Sequence, residues 1–520
     1  MGQIASRLKE PLHTAGSVAE IITGSRKRKR NDTDHVNHEE TQTDIHTPKK
    51  KRLLTTTQYI YQTLFKDEKN ADISVMALGK VWHLHKVYLC QSPYFNSMFN
   101  GSWRETFQDF ISIEIMDSKI TLDSLQAVFG SLYSDEIEIE PSSVIPVLAT
   151  ATLFQLERII DKCTEVMIET TNAETAVLYY ETSCQYGNNL VKQTTFEWLL
   201  LNLLSLYNKQ IKHLKLISTE LLTALVSSPN LYVMQTEFSL YTLLRTWLYT
   251  RIFPNFEPDE NKPDDLQIPQ NFFAKRKDSC PFLLTEDGLT YIEPFNALRL
   301  EYLICHHMDM KFVFGDNIIP KKWLFYHVQN HWNTILKIDH SHEPGPQNED
   351  EAVFNKNSMR CGRTLMEPGY QKWRWTGFNF GLDLILISDQ RVLSIRRHHR
   401  AEHERLLSVQ TKRQFMVKVS VSSINSQRQR TFCQQTEIKS LSLEKNEEVQ
   451  LLTMDPKLVH PLLISVNLLV HHPNKMSEQE KFVESLKDKL NLSIPISEIG
   501  GDETDLLFGR DLRHQEQQTE

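Results

Sequence analysis

The stretch NADISVMALGKVWHLHKVYLCQSPYFNSMFNGSWRETFQDFISIEI, residues 70–115, decides the fold. Ile73, Val75 and Ala77 alternate, Gly79-Lys80 reads as a turn, and Val81, Trp82 and Leu84 follow, which is the pattern of a two-strand hairpin. Val87, Leu89 and Cys90 come next, and Ser92-Pro93 suits a helix start. Tyr94, Phe95, Met98 and Phe99 then fall at helical spacing until Asn100-Gly101 stops them. Phe110, Ile111, Ile113 and Ile115 read as a third strand, so the stretch predicts a compact α+β core.

Downstream, Leu122, Leu125, Val128, Phe129 and Leu132 recur at three- and four-residue steps, as an amphipathic helix requires. Val144 to Phe154 and Leu156 to Met167 repeat the pattern. From 173 the chain reads as helical: Ala176–Tyr186 capped by Gly187, an all-round apolar FEWLLLNLL from Phe196, then Leu214–Leu225 and Phe238–Tyr249. Residues 253–288, rich in Pro, Asp, Asn and Lys, read as a loop insertion. Helical pattern returns over Phe295–His306 and Trp323–Leu336, and HSHEPGPQNEDE at 340–351 marks a boundary. Beyond it short apolar runs separated by turn signals (Trp373–Phe380, Leu382–Ile387, Val392–Ile395, Phe415–Val421, Leu463–Val470) predict an antiparallel sandwich or barrel.

Leu84-His85-Lys86 followed by SPYF at Ser92–Phe95 and by Met98-Phe99 closely resembles the BTB/POZ domain. Tyr59–Phe65 (YIYQTLF), CQSPYFNSMFNGSW, SMRCGR and WRWTGFNFG look like the germ cell-less group of BTB proteins. The expected architecture is therefore multidomain α+β. Residues 1–55 form a disordered basic arm, 56–172 a BTB/POZ domain and 173–345 a BACK-like helical bundle with the insertion near 253–288. Residues 355–472 form an antiparallel, sandwich-like β-rich domain, and 473–520 a charged, mobile tail with one amphipathic helix.

With 520 residues the chain has room for about three domains. The net charge of −8 is mild but uneven: residues 1–52 carry 11 Lys/Arg against 7 Asp/Glu. Seven cysteines, odd in number and scattered without a Cys-x-x-Cys pair, argue for a reducing compartment and against a disulfide framework. No apolar run is long enough to span a membrane, and the start lacks a secretory core. The expectation is an intracellular protein.

MGQIAS fits the N-myristoylation pattern, with Gly2 as acceptor; the plain reading is an unmodified start. One acyl chain binds membranes only marginally without a second signal, and membrane contact is expected only through such a chain. Arg26, Lys27, Arg28, Lys29 and Arg30, with Lys49, Lys50, Lys51 and Arg52, form two basic clusters that suit nuclear import receptors, against the alternative of a solvated charged tail. No aromatic residue interleaves them, so no specific nucleic acid is implied. Expected locations are the nucleus, its envelope or matrix, and also the cytoplasm.

The resemblance implies binding and no catalysis. In BTB adaptors of ubiquitin ligases an apolar-x-Glu motif after the SPYF helix contacts cullin-3; here Trp103 and Glu105 match it and Tyr94 helps shape the surface. A large apolar side chain fills a partner pocket while a carboxylate fixes register; the bland alternative is that Trp103 packs the domain's edge. Asp72 and Lys86 match a charged pair in the BTB homodimer pocket, or Asp72 is a helix-capping carboxylate. Trp373, Arg374 and Trp375 are candidates for holding an unknown client protein, such as a nuclear-envelope or transcription-factor protein, although Trp373 and Arg374 face opposite sides of the strand and a sandwich core is the better account of one aromatic row. His83 and His85 share a strand face but lack a third ligand at metal spacing, and Cys305-His306-His307, His398-His399 and His471-His472 point to opposite faces. No metal or cofactor is expected. Phosphate loops, nucleophile elbows and zinc-protease motifs are missing from the sequence, so no catalytic residue is assigned. The reading implied is a non-enzymatic client receptor of a cullin-3-type ligase acting in germ-cell development. The alternative is a nuclear-envelope or transcription-associated scaffold that binds no cullin.

Overall fold

A computed structural model describes residues 55–473, apart from 102–106, 135, 208–209, 235, 258–262, 277, 375–378 and 401–406. Gly2, both basic clusters, Trp103, Glu105, Trp375 and the tail's amphipathic stretch lie outside the described residues.

The first described helix, α1 (Thr56–Ile60), opens with a capping box, in which Thr55 and Gln58 exchange side-chain and backbone hydrogen bonds of 3.2 Å. Strands β1 (Ile73–Ala77) and β2 (Lys80–Leu84) form the expected hairpin, turning at Leu78-Gly79, both with positive φ. Helices α2 (Lys86–Leu89) and α3 (Pro93–Asn100) carry the chain to β3 (Phe110–Ile113), which runs parallel to β1 and gives the order β2-β1-β3. Helices α4 (Leu122–Ser131), α5 (Val144–Leu153) and α6 (Glu157–Glu169) cover one face of this sheet. Under them the rings of Phe95, Phe129 and Phe154 pack with centroids 5.1–6.3 Å apart, the range that aromatic pairs favour.

The helical region follows: α7 (Ala176–Tyr186), α8 (Asn189–Leu206), α9 (Ile211–Leu214), α10 (Thr219–Ser227), α11 (Glu237–Ile252), α12 (Pro263–Lys275), α13 (Ile292–Asn296), α14 (His307–Asp316), α15 (Lys321–Asp339) and α16 (Glu351–Asn357). α7 ends at Gly187 in the left-handed conformation. Leu199, Leu203 and Leu204 of α8 are buried in the largest core, as its all-round apolar sequence requires.

Three expectations are corrected here. Leu214–Leu225 is two helices, because Ser218 caps α10 by accepting from Leu221 N. Phe295–His306 is the end of α13, one tight turn at Leu300–Tyr302 and the approach to α14. Residues 253–288 are no mere loop insertion: α12 lies within them, and Phe273, Phe282 and Leu283 join the core. Burying such side chains is worth roughly 1.5–3 kcal/mol each, so this segment is part of the bundle.

The β-rich part has nine strands among the described residues: β4 (Met359–Leu365), β5 (Gln371–Arg374), β6 (Leu384–Asp389), β7 (Val392–Arg397), β8 (Lys412–Ile424), β9 (Arg430–Gln435), β10 (Lys439–Glu444), β11 (Glu448–Thr453) and β12 (Leu462–Leu469). One antiparallel sheet has the order β10-β8-β12-β4, with β9 on the far half of the long β8; the other is β11-β7-β6-β5. Leu384, Leu386, Leu393 and Ile395 from the second sheet share a core with Phe415, Val417, Val419, Ile464 and Val466 from the first, which makes a sandwich. Of the expected alternating run Trp373 to Phe380, β5 carries Trp373 and Arg374, residues 375–378 are outside the described residues, and Asn379–Gly381 is a tight turn.

The helical and β-rich parts are knitted together. Met234 bridges Gly362 in parallel register, Asn467 Nδ2 donates to Pro229 O at 3.0 Å, and Trp198 Nε1 donates to Gln427 O at 3.3 Å.

Candidate protein-docking site

The corner made by α2, α3 and the approach to β3 is built by local chemistry. Ser92 caps α3, accepting from Phe95 N at 3.4 Å, and its hydroxyl donates to Phe154 O at 2.6 Å. Pro93 takes the first helical position, where a missing N–H costs nothing. Phe95 and Phe99 are buried, whereas Tyr94 is half-buried, its ring 5.2 Å from that of Phe95 and 5.6 Å from that of Phe154.

Asp72 and Lys86 meet through backbone, not charge: Lys86 N donates to Asp72 Oδ1 at 2.8 Å, so the carboxylate caps α2 from fourteen residues away. The Lys86 ammonium turns elsewhere. It lies 3.3 Å from Gln108 O, 3.6 Å from Asp109 Oδ1 and 5.8 Å from the centre of the Phe99 ring. Lys86 thus ties α2 to the segment that follows residues 102–106. Phe107 is 88 % exposed there and Phe110 on the sheet edge 50 %, with Val87 of α2 also exposed. The sequence reading missed Phe107 as a surface residue; its signal was an aromatic in a polar run between helix and strand.

His85 is buried and fully engaged: Nε2 lies 2.9 Å from Lys69 O and Nδ1 lies 3.1 Å from Tyr133 Oη, which itself accepts from His85 N at 2.9 Å. His83 Nδ1 meets Ser74 Oγ at 2.9 Å across the hairpin. Among the described residues no group of three or more His, Cys, Asp or Glu stands where it could hold a metal ion. Burial, and then the nearby Asp72 carboxylate, push the Cys90 thiol up, the wrong direction for a nucleophile.

Of the client candidates, Trp373 and Arg374 are on opposite faces of β5, as strand alternation requires. Trp373 is 7 % exposed and belongs to the sandwich core, so it cannot face a client; its indole fills the space between the sheets. Arg374 points the other way, and its Nε lies 2.9 Å from the carboxylate of buried Asp383. The two side chains therefore do not form one exposed row.

The BTB/POZ domain family model matches residues 61–171, the segment that holds this corner. The BTB/POZ domain is a protein–protein interaction module, which agrees with a site of exposed aromatics. The chain is 55 % identical to protein germ cell-less of Drosophila melanogaster, covering 96 % of this chain and 91 % of that protein. It is 38 % identical to germ cell-less protein-like 1 of Homo sapiens (84 % and 85 % covered) and 36 % identical to germ cell-less protein-like 2 of Homo sapiens (89 % and 90 %). With likeness of this extent running through all three structural parts, the chain belongs to the germ cell-less family of BTB/POZ-domain proteins.

Proposed function

We propose that this chain is a non-enzymatic adaptor that brings a client protein to a cullin-3-type ubiquitin ligase and self-associates through its BTB domain. The observation that carries the reading is the pair of exposed rings, Phe107 and Phe110, just after residues 102–106, where the Trp103-x-Glu105 motif falls. Aromatic side chains in a folded surface are the usual centres of protein interfaces. The β-rich part would present the client, with Trp373 excluded from that role and Arg374 retained. A dimer would capture a two-site client with higher effective affinity at no cost in new contacts. The relatives' names point this activity to germ cells, and germ-cell development, with spermatogenesis, is the setting we propose for it. The two basic clusters and the Gly2 pattern favour a nuclear or nuclear-envelope location.

The test is recovery of cullin-3 with the full chain and with a Trp103→Ala/Glu105→Ala variant. Loss of recovery in the variant is expected. Equal recovery removes the proposed contact, and no recovery with either chain favours the second reading, a nuclear-envelope or transcription-associated scaffold, for which the basic clusters are the motivating feature.

A further inference from the structure

Strands β5 and β7 bring several basic side chains to one corner of the sheet face turned away from the sandwich core. Register sets Arg374, Ile385, Arg396 and Glu448 in one row across β5, β6, β7 and β11. His398, whose N–H donates to Asp383 O at 2.7 Å, continues β7 on the same face two residues beyond Arg396. Arg400 joins it, its Nε donating to His398 Nε2 at 2.5 Å. Neighbouring strands lie about 4.8 Å apart, so the Arg374 and Arg396 backbones stand roughly 10 Å from each other, with His398 about 7 Å further along. Long side chains close that gap around one small group.

The positive charge of this corner is only partly answered. Asp383 is buried, and Arg374 Nε lies 2.9 Å from its carboxylate. Glu448 accepts from Ser394 Oγ instead of pairing with Arg396. Among the described residues the Arg396 guanidinium has no hydrogen bond or ion pair, and its Nε is shielded from solvent. Accepting from Arg400 puts the His398 proton on Nδ1, and that shielded N–H also lacks an acceptor among the described residues. Burial pushes the His398 imidazole down; Asp383 opposes this, and the Arg400, Arg396 and Arg374 charges add to it, so the ring is neutral at neutral pH.

We propose that this corner is a subsite for a phosphorylated side chain of the client, an inference that rests on the reading that the β-rich part presents the client. A phosphoryl group brings a charge of about −1.5 to −2 and three acceptor oxygens. Arg396 and Arg400 offer two guanidiniums that form no ion pair among the described residues, and His398 Nδ1–H offers a third donor. A carboxylate brings a single charge and leaves one guanidinium unanswered. Planar guanidinium forks also match phosphate oxygens two at a time. Arg374 and Arg400 are exposed, so the corner is open to a ligand, while half-buried Arg396 gives it a water-poor floor where such bonds are stronger.

Fluorescence polarisation on the full chain tests this, with a pool of labelled peptides centred on phosphoserine and degenerate on both sides. The pool is expected to bind at least about tenfold more tightly than the same pool with serine or glutamate at the centre. Arg396→Gln and Arg400→Gln should each remove most of that preference. Arg400 is exposed, so its variant keeps the test decisive if Arg396→Gln fails to fold. Lys457→Gln removes an exposed cation near the opposite end of β7, where Arg391 Nη1 donates to Asp455 O, and should leave binding unchanged. Equal binding of the glutamate pool, an equal loss in Lys457→Gln, or a preference that survives Arg400→Gln overturns the proposal. So does a preference that appears only in Glu402→Gln/Glu404→Gln, which assigns the corner to the chain's own acidic residues. The assay contains no cullin. Cullin-3 recovery without phosphopeptide preference therefore overturns this inference alone, and preference without cullin-3 recovery supports it while the ligase reading fails.

Discussion

Arg360 of β4 and Glu237 at the start of α11 form an ion pair whose side chains are 0 and 1 % exposed, 123 residues apart in sequence. Arg360 Nη1 also donates to Val226 O at 2.5 Å and Ser228 O at 3.0 Å, and Glu237 Oε1 accepts from Arg299 N at 3.0 Å. One strand, two helices and the turn before Leu300 therefore share a single buried polar knot. Leaving either charge alone in that place costs far more than the pair gains over an apolar substitute. Arg360→Met and Glu237→Gln, each of which leaves the other charge buried and unpaired, are each expected to lower unfolding stability by about 3–5 kcal/mol. Urea unfolding of both, with the double variant, measures the coupling; a loss below about 1 kcal/mol for Arg360→Met would refute the knot as a structural joint.

A second joint runs through Asn202, the one polar residue in Leu199–Leu204. Its Nδ2 donates to Trp198 O at 2.9 Å and Arg428 O at 3.1 Å, and its Oδ1 accepts from Arg428 Nε at 2.7 Å. Arg428 adds a 2.7 Å bond from Nη2 to Ser205 Oγ, from a backbone with φ 59°. Asn202→Leu strands the guanidinium and is expected to cost about 2–3 kcal/mol and to open the β8–β9 turn to protease. Asn202→Asp keeps the acceptor and should leave the turn more resistant than Asn202→Leu does. Equal cleavage in wild type and Asn202→Leu would show that the turn is held by other contacts.

Gly362 marks a close approach between these two parts. A Cβ there would stand 2.5 Å from Tyr232 Cε2 and 3.0 Å from Val233 O, and Tyr232 is buried with its hydroxyl 2.9 Å from Thr364 Oγ1. Gly362→Ala should destabilise by about 1–3 kcal/mol, read as a fall in melting temperature. Repeating it in a Tyr232→Leu background tests the cause: the alanine should then cost measurably less, and an unchanged cost would place the strain elsewhere.

The first 120 or so described residues were legible because every signal there was local. Alternation in Ile73–Ala77, the Ser92-Pro93 cap and the stepped apolar residues of α4 to α6 each fix their own element. β9, β10 and β11 were not legible: they lie at the sheet margins with mostly exposed or half-buried residues, so no apolar run announces them. α12 was hidden by Pro269 inside it, a residue that sequence rules place outside helices. At the site, the sequence left Asp72 open as a charge partner of Lys86 or as a helix-capping carboxylate, and the 2.8 Å bond from Lys86 N selects the cap. Trp373 was legible as a core residue, because alternation along β5 puts it and Arg374 on opposite faces and a sandwich core takes one aromatic row.

The last prediction concerns pH. His331 stacks on Phe380, centroids 4.2 Å apart, and Phe380 in turn packs on His471 at 4.1 Å. His471 Nε2 lies 3.3 Å from Glu301 Oε2. Burial and then the His471 charge hold His331 down to about 4, from an ordinary 6.5. Burial also pushes His471 down, but the Glu301 carboxylate outweighs it and the net direction is up. Burial pushes Glu301 up, and His471 outweighs it so that the net direction is down. The folded protein thus holds a neutral His331 beside a charged His471–Glu301 pair. Between pH 6.5 and 4 the unfolded chain binds a proton at residue 331 that the folded chain refuses, so stability falls on acidification by up to about 3 kcal/mol from this group. The His471 contribution has the opposite sense: it is fully present below its unfolded value and is lost as pH rises through its raised folded value. Urea unfolding from pH 4 to 9 should show His331→Phe flattening the acid limb and His471→Gln flattening the alkaline one. If His331→Phe loses as much stability between pH 6.5 and 4 as the wild type does, the imidazole is already protonated in the fold and the assignment fails.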